Sequence, residues 1–177
     1  MSEIPDAPNN VFLVGPMGAG KSTVGRHLAR LLRKTFLDCD RELEEHTGAR
    51  ISIIFELEGE AGFRKRERAM LEALTARDGV VLATGGGAVL DPDNRSLLKG
   101  RGFNIYLNAP FDLLVERTSR DKRRPLLQTQ DREDRIRALL AERDPLYREV
   151  ADMIVASDRR SAKLVAREIL RRLKDDA

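Results

Sequence analysis

The residues Gly15–Thr23 read GPMGAGKST, which fits G-x-x-x-x-G-K-[ST]. An apolar run, Val11–Val14, precedes them, and an amphipathic run, Val24–Leu32, follows. Strand, glycine loop and helix in that order form a phosphate-binding loop, which commits the chain to an α/β fold built around that strand. Glycines let successive backbone N–H groups turn inward around anionic oxygens. The N-terminus of the following helix adds partial positive charge at the same place. Gly18, Ala19, Gly20, Lys21, Ser22 and Thr23 are therefore expected to hold a nucleoside triphosphate. Lys21 would reach the β- and γ-phosphates, and the Ser22 hydroxyl would ligate Mg²⁺.

Five β-prone runs alternate with helical patterns: Val11–Val14, Thr35–Leu37, Val80–Ala83, Phe103–Leu107 and Met153–Ala156. The first, third and fourth are almost continuously apolar, as strands of a parallel sheet buried on both faces are. The intervening patterns predict helices over Ser22–Leu32, Asp40–Thr47, Ala61–Ala76, Asn94–Lys99, Pro110–Ser119, Arg132 to Leu140 or Arg143, and Ser161–Leu173. In such a sheet, ligands bind beyond the carboxyl ends of the strands. At 177 residues one domain is expected. Within it, residues 1–9 read as a disordered leader. Residues 119–131 form one long connection without periodicity, suited to a lid.

Composition narrows the function classes. The single cysteine, Cys39, excludes an internal disulfide and a Cys-based zinc site and fits a reducing, cytoplasmic compartment. The leader has neither a basic n-region nor an apolar h-region, and no apolar run is long enough to span a membrane. Net charge is +3 and aromatics make up 5%. Arginine clusters without interleaved aromatics suit small anions better than nucleic acid. No apolar surface pattern demands a dimer, so a monomer is expected.

Three further features fall at strand ends or in connections. The second strand ends FLDCD, placing Asp38 and Asp40 at i, i+2; in extended backbone both carboxylates would point the same way. One could hold a metal-bound water and the other a substrate hydroxyl, or both could simply begin the next helix. The third strand runs into Gly85-Gly86-Gly87, which allows close backbone approach and supplies N–H donors, or forms only a flexible turn. Arg64, Arg124 and Arg143 offer planar guanidinium groups for carboxylate or phosphate, though any one alone could be a surface residue. Arg124 lies in the expected lid, where an arginine could stabilise a transferring phosphoryl group.

Taken together, GPMGAGKST, FLDCD, the GFR of Gly62–Arg64, TGGG, the RPLL of Arg124–Leu127 and the ERDPLY of Glu142–Tyr147 resemble the shikimate kinase family. The resemblance runs from about Val11 to Leu173, and only the phosphate loop is generic. It implies a five-stranded parallel sheet of order 2-3-1-4-5, a substrate-binding region near residues 33–66, and ATP-dependent phosphorylation of the 3-hydroxyl of shikimate. It further implies that Asp40 binds shikimate hydroxyls, Asp38 orients Mg²⁺ through water, and Arg64 and Arg143 clamp the carboxylate. Gly86, with Gly85 and Gly87, would offer backbone N–H groups. Arg124 would reach ATP from the lid, and Arg117 and Arg160 would lie near the adenine. A related gluconate kinase, a non-catalytic nucleotide-binding module and a nucleic-acid binder are the competing readings.

Overall fold

The structure, a computed structural model, describes residues 7–119 and 131–176. Its strands are β1 (Val11–Val14), β2 (Thr35–Asp38), β3 (Val80–Ala83), β4 (Phe103–Asn108) and β5 (Met153–Ala156). Its helices are α1 (Lys21–Leu32), α2 (Cys39–Thr47), α3 (Ile51–Thr75), α4 (Pro92–Arg101), α5 (Phe111–Thr118), α6 (Arg132–Val150) and α7 (Ala162–Asp175), with one 3₁₀ turn at Ala88–Leu90. The strands form one parallel sheet of order β2-β3-β1-β4-β5, as the family resemblance implied.

Alternation of side chains along β1 explains its unbroken apolar sequence. Val11 and Leu13 face the layer that contains Leu28 of α1 and Ile169 of α7. Phe12 and Val14 face the opposite layer, with Leu71 of α3, Leu98 of α4 and Tyr147 of α6. Every β1 residue is therefore buried on one face or the other. Register then sets the site: Leu13 and Asp38 both lie beside Ala83. The phosphate loop, the aspartates and the glycine triplet consequently emerge at one level along the sheet edge.

Two helices differ from expectation. α3 begins at Ile51, ten residues before the predicted Ala61, and breaks at Gly59 (φ 72°, ψ −178°). The sequence of its first half has apolar residues without a single stripe, which hid it; Ile53 and Leu57 stand exposed there. α6 runs through Pro145 to Val150. The proline ring is on the exposed side and removes one hydrogen bond, while Arg143, Tyr147 and Val150 are buried on the other side and keep the helix going. At the start of the chain, Asn9 is tied down, donating to Asp78 and accepting from Lys34, so the leader's last residue is held in place. The lobe formed by α2 and the first half of α3 rests on the small cluster of Leu43, Ile54 and Phe63.

Candidate active site

Glycine shapes the donor end. Gly18 and Gly20 hold φ of 84° and 92°, in the left-handed region where a side chain is strained. Gly20 caps α1 with no side-chain hydrogen bond, which leaves the helix N-terminus to an anion. Lys21 Nζ donates to the carbonyls of Gly15 (2.7 Å) and Pro16 (2.9 Å). The Ser22 hydroxyl donates to the Asp38 carboxylate, joining the start of α1 to the end of β2.

The loop after β5 clasps this turn. The hydroxyl of Ser157, a buried residue, donates to the Ala19 carbonyl. Arg117 bridges the two loops, donating to Gly18 O (3.0 Å) and Asp158 O (3.1 Å). Arg160 pairs with Asp158 and Glu168 while lining the same cleft. Its guanidinium is thus engaged by carboxylates. The family resemblance placed Ser157 only at the start of a nucleotide loop, Ser157–Ala162, and not among the site residues; its place just past the carboxyl end of β5 is the signal for it.

At the acceptor end the backbone of the aspartate pair differs from the expected extended run. Asp38 closes β2 and caps α2, accepting from the Arg41 N–H (3.2 Å), while Asp40 already lies in the first turn of α2. Both carboxylates nevertheless line one cleft. Asp38 therefore serves as a helix cap and as the partner of Ser22 together.

The triplet is walled by charge. A methyl placed on Gly85 would lie 2.7 Å from Glu67 Oε2 and 3.0 Å from Asp40 Oδ1. One on Gly87 would overlap the Arg64 guanidinium, and one on Gly86 would sit 3.7 Å from Arg143 Nη1. An alanine at 85 or 87 would have to push the ends of those side chains aside. Arg143 is 3% exposed. The side chain of Arg64 is 21% exposed and stacks over Phe63.

Glu67, one helical turn past Arg64, was not anticipated. It is 1% exposed and accepts from Arg64 Nη1 at 2.8 Å. Among the described residues, Glu67 Oε2, Arg64 Nε and Arg143 Nε are buried with no hydrogen-bond partner, an arrangement that costs free energy. Burial pushes the Glu67 carboxyl above its ordinary value near 4.5, against the pull of Arg64. The folded chain then binds that proton more tightly than the unfolded chain, so this group costs stability as pH rises through the window between the two values. The stability of wild type minus that of Glu67→Gln is expected to fall as pH rises above about 4.5. Urea unfolding across that range would show it, and a pH-independent difference would contradict it.

Donor and acceptor ends share one cleft of about 890 Å³. It is lined by Gly18, Gly20, Lys21, Ser22, Thr23, Asp38, Asp40, Arg64, Gly85, Gly86, Gly87, Arg117, Arg143 and Arg160. Ala19, within the loop, is fully buried. Arg124 and the expected lid lie outside the described residues, apart from their flanks at Ser119 and Asp131. No helix among the described residues is long and apolar enough to cross a membrane.

The family model for shikimate kinase matches residues 17–174. A shikimate kinase of Halorhodospira halophila is 57% identical over 167 residues, 94% of each chain. The structure of a shikimate kinase from Acinetobacter baumannii in complex with shikimate superposes with a TM-score of 0.93 at 53% identity, covering 95% of this chain and 94% of that one. A gluconokinase from Sinorhizobium meliloti, at 17% identity and a TM-score of 0.58 over 96% of this chain and 93% of its own, shares the fold alone. A phosphate loop facing two buried or half-buried arginines across one cleft, and a likeness at this level along nearly the whole chain, lead to one conclusion: the protein belongs to the shikimate kinase family.

Proposed function

We propose that the γ-phosphoryl group of ATP, seated on the phosphate loop, passes to the 3-hydroxyl of shikimate held by Asp40, Arg64, Arg143 and the glycine triplet. Phosphorylation of shikimate by ATP, a step of aromatic amino-acid biosynthesis, follows from family membership. The observation that carries the assignment of residues is the cleft itself. Lys21 and Ser22 stand at one end, and the guanidinium-bearing side chains of Arg64 and Arg143 line the other. Shikimate is a small monoanion with three hydroxyls, and it needs cations for its carboxylate and acceptors for its hydroxyls.

In this reading Arg64 and Arg143 take the carboxylate, and Asp40 accepts a hydrogen bond from the attacking hydroxyl. Attack forms the new O–P bond as the bond to the ADP oxygen breaks, and the hydroxyl proton leaves toward Asp40. Most of the catalysis is positioning and charge neutralisation. Lys21 follows the charge on the β- and γ-phosphates, and Arg124 is assigned the same task from the lid. Arg117 and Arg160 are assigned to the adenine side.

The donor set fits Mg²⁺. Among the described residues, no cluster of three or more His, Cys, Asp or Glu side chains could hold a metal. The Ser22 hydroxyl and the Asp38 carboxylate touch beside the loop, and Mg²⁺ uses one or two protein oxygens together with phosphates and waters. Ser22 would hold it directly and Asp38 through water. When bound, it would neutralise charge on the β- and γ-oxygens. We further read the enzyme as a cytoplasmic monomer that binds no nucleic acid.

A coupled assay for ADP tests the assignment. Shikimate should be phosphorylated far faster than gluconate or a nucleoside monophosphate. Equal rates would overturn it.

A further inference from the structure

We propose that Tyr147 is a positioning residue for the acceptor: its hydroxyl, bonded to the Gly86 carbonyl, aims the glycine triplet's N–H edge into the cleft. The proposal rests on the reading above that the triplet and Arg143 contact shikimate. Each carbonyl of the triplet has a partner. The Gly85 carbonyl accepts from the Ala88 N–H and the Gly87 carbonyl from the Leu90 N–H, both at 3.1 Å. These are bonds of the local turn. The Gly86 carbonyl, by contrast, is held from a distant part of the chain, by the Tyr147 hydroxyl at 2.5 Å.

Peptide geometry carries that bond to the other side of the loop. In a trans peptide the carbonyl of one residue and the N–H of the next point in opposite directions. Fixing the Gly86 carbonyl onto Tyr147 turns the Gly87 N–H away from it. Gly87 is the residue against which the Arg64 guanidinium lies. Without the hydroxyl, the peptide between Gly86 and Gly87, both lacking side chains, has little to resist rotation.

Tyr147 is built as a fixed post. It is fully buried among Leu71, Leu82 and Leu98. Its ring packs against that of Tyr106, tilted by 34° with centroids 5.1 Å apart. It lies four residues after Arg143 on α6, on the same helical face. The one hydroxyl therefore sets both the rotation of the triplet and the distance from α6, with Arg143, to that triplet. Burial holds the Tyr147 hydroxyl well above its ordinary pKa, so it stays a donor. Tyr106 supplies an internal control. Its hydroxyl donates at 2.6 Å to Asp144, a partner outside the cleft lining.

The test compares Tyr147→Phe with Tyr106→Phe in steady-state kinetics. Tyr147→Phe is expected to raise the KM for shikimate about tenfold, with kcat within about threefold and the KM for ATP within about twofold. Tyr106→Phe should leave all three within about twofold. The proposal is overturned if Tyr147→Phe leaves the shikimate KM unchanged, if both KM values rise together, or if Tyr106→Phe gives the same shift. Should Tyr147→Phe fail to fold, Tyr106→Phe grown on 3-fluorotyrosine carries a single fluorine-labelled tyrosine, because the chain has only two. Its ¹⁹F resonance should move on adding shikimate and stay put with gluconate; no movement with shikimate overturns the proposal. A wild type that does not prefer shikimate would defeat the reading of the site. A wild type that does, with Tyr147→Phe unchanged, defeats the role of the tyrosine alone.

Discussion

Asp40→Asn is expected to lower kcat by roughly 10²- to 10⁴-fold, the range for losing a positioned acid–base group. The KM for ATP should stay within about threefold. The substitution keeps the shape of the side chain against Gly85, where Oδ1 lies 3.0 Å from the position of a Cβ. It removes the negative charge and half of the acceptor capacity that would align the attacking hydroxyl. In the proposed reading ATP sits at the other end of the cleft, on Lys21, Ser22 and the N–H groups of the loop, which the change does not touch. Steady-state kinetics with a separate calorimetric measurement of ATP binding decides the matter. Turnover near the wild-type level would remove Asp40 from the reaction.

Arg64→Ala is expected to cost on the order of 2–4 kcal/mol in kcat/KM for shikimate, or about 30- to 900-fold. Two losses combine in that figure. The proposed contact with the carboxylate disappears, and Glu67, 1% exposed, loses its cation. An unpaired buried charge is expensive, so part of the loss belongs to Glu67 rather than to the substrate. Arg64→Ala/Glu67→Gln separates the two, because it removes the pair together and the cycle returns the coupling between them. A change below threefold in the single variant would refute a carboxylate contact.

The fold was legible where local rules act. The apolar run of β1 and the glycines after it identify a strand and a phosphate loop without any knowledge of the rest of the chain. Strand order is a long-range property: nothing in Thr35–Leu37 or Val80–Ala83 says which lies next to β1, and only the family resemblance supplied it. Helix ends went astray where packing overrides local preference, as when α6 continues past Pro145 because Tyr147 and Val150 are buried. In the site, Arg64 and Arg143 were visible through their motifs. Glu67 was one charge among many in RKRER and is distinguished only by its burial. Tyr147 stood inside a recognised motif, but the Gly86 carbonyl it holds lies 61 positions away, which no local pattern encodes.

The walls around the glycine triplet also bear on how such an enzyme can change over time. Positions 85 and 87 are occupied in effect by the ends of the Glu67, Asp40 and Arg64 side chains, so an alanine at either must displace a charged group that lines the cleft. Nor can the neighbours be traded freely, because Arg64 and Glu67 compensate each other's charge. Residues 40, 64, 67, 85 and 87 therefore form a coupled block, in which a change at one position alters the setting of the others. A lineage moving to a different acceptor is expected to change several of these positions together.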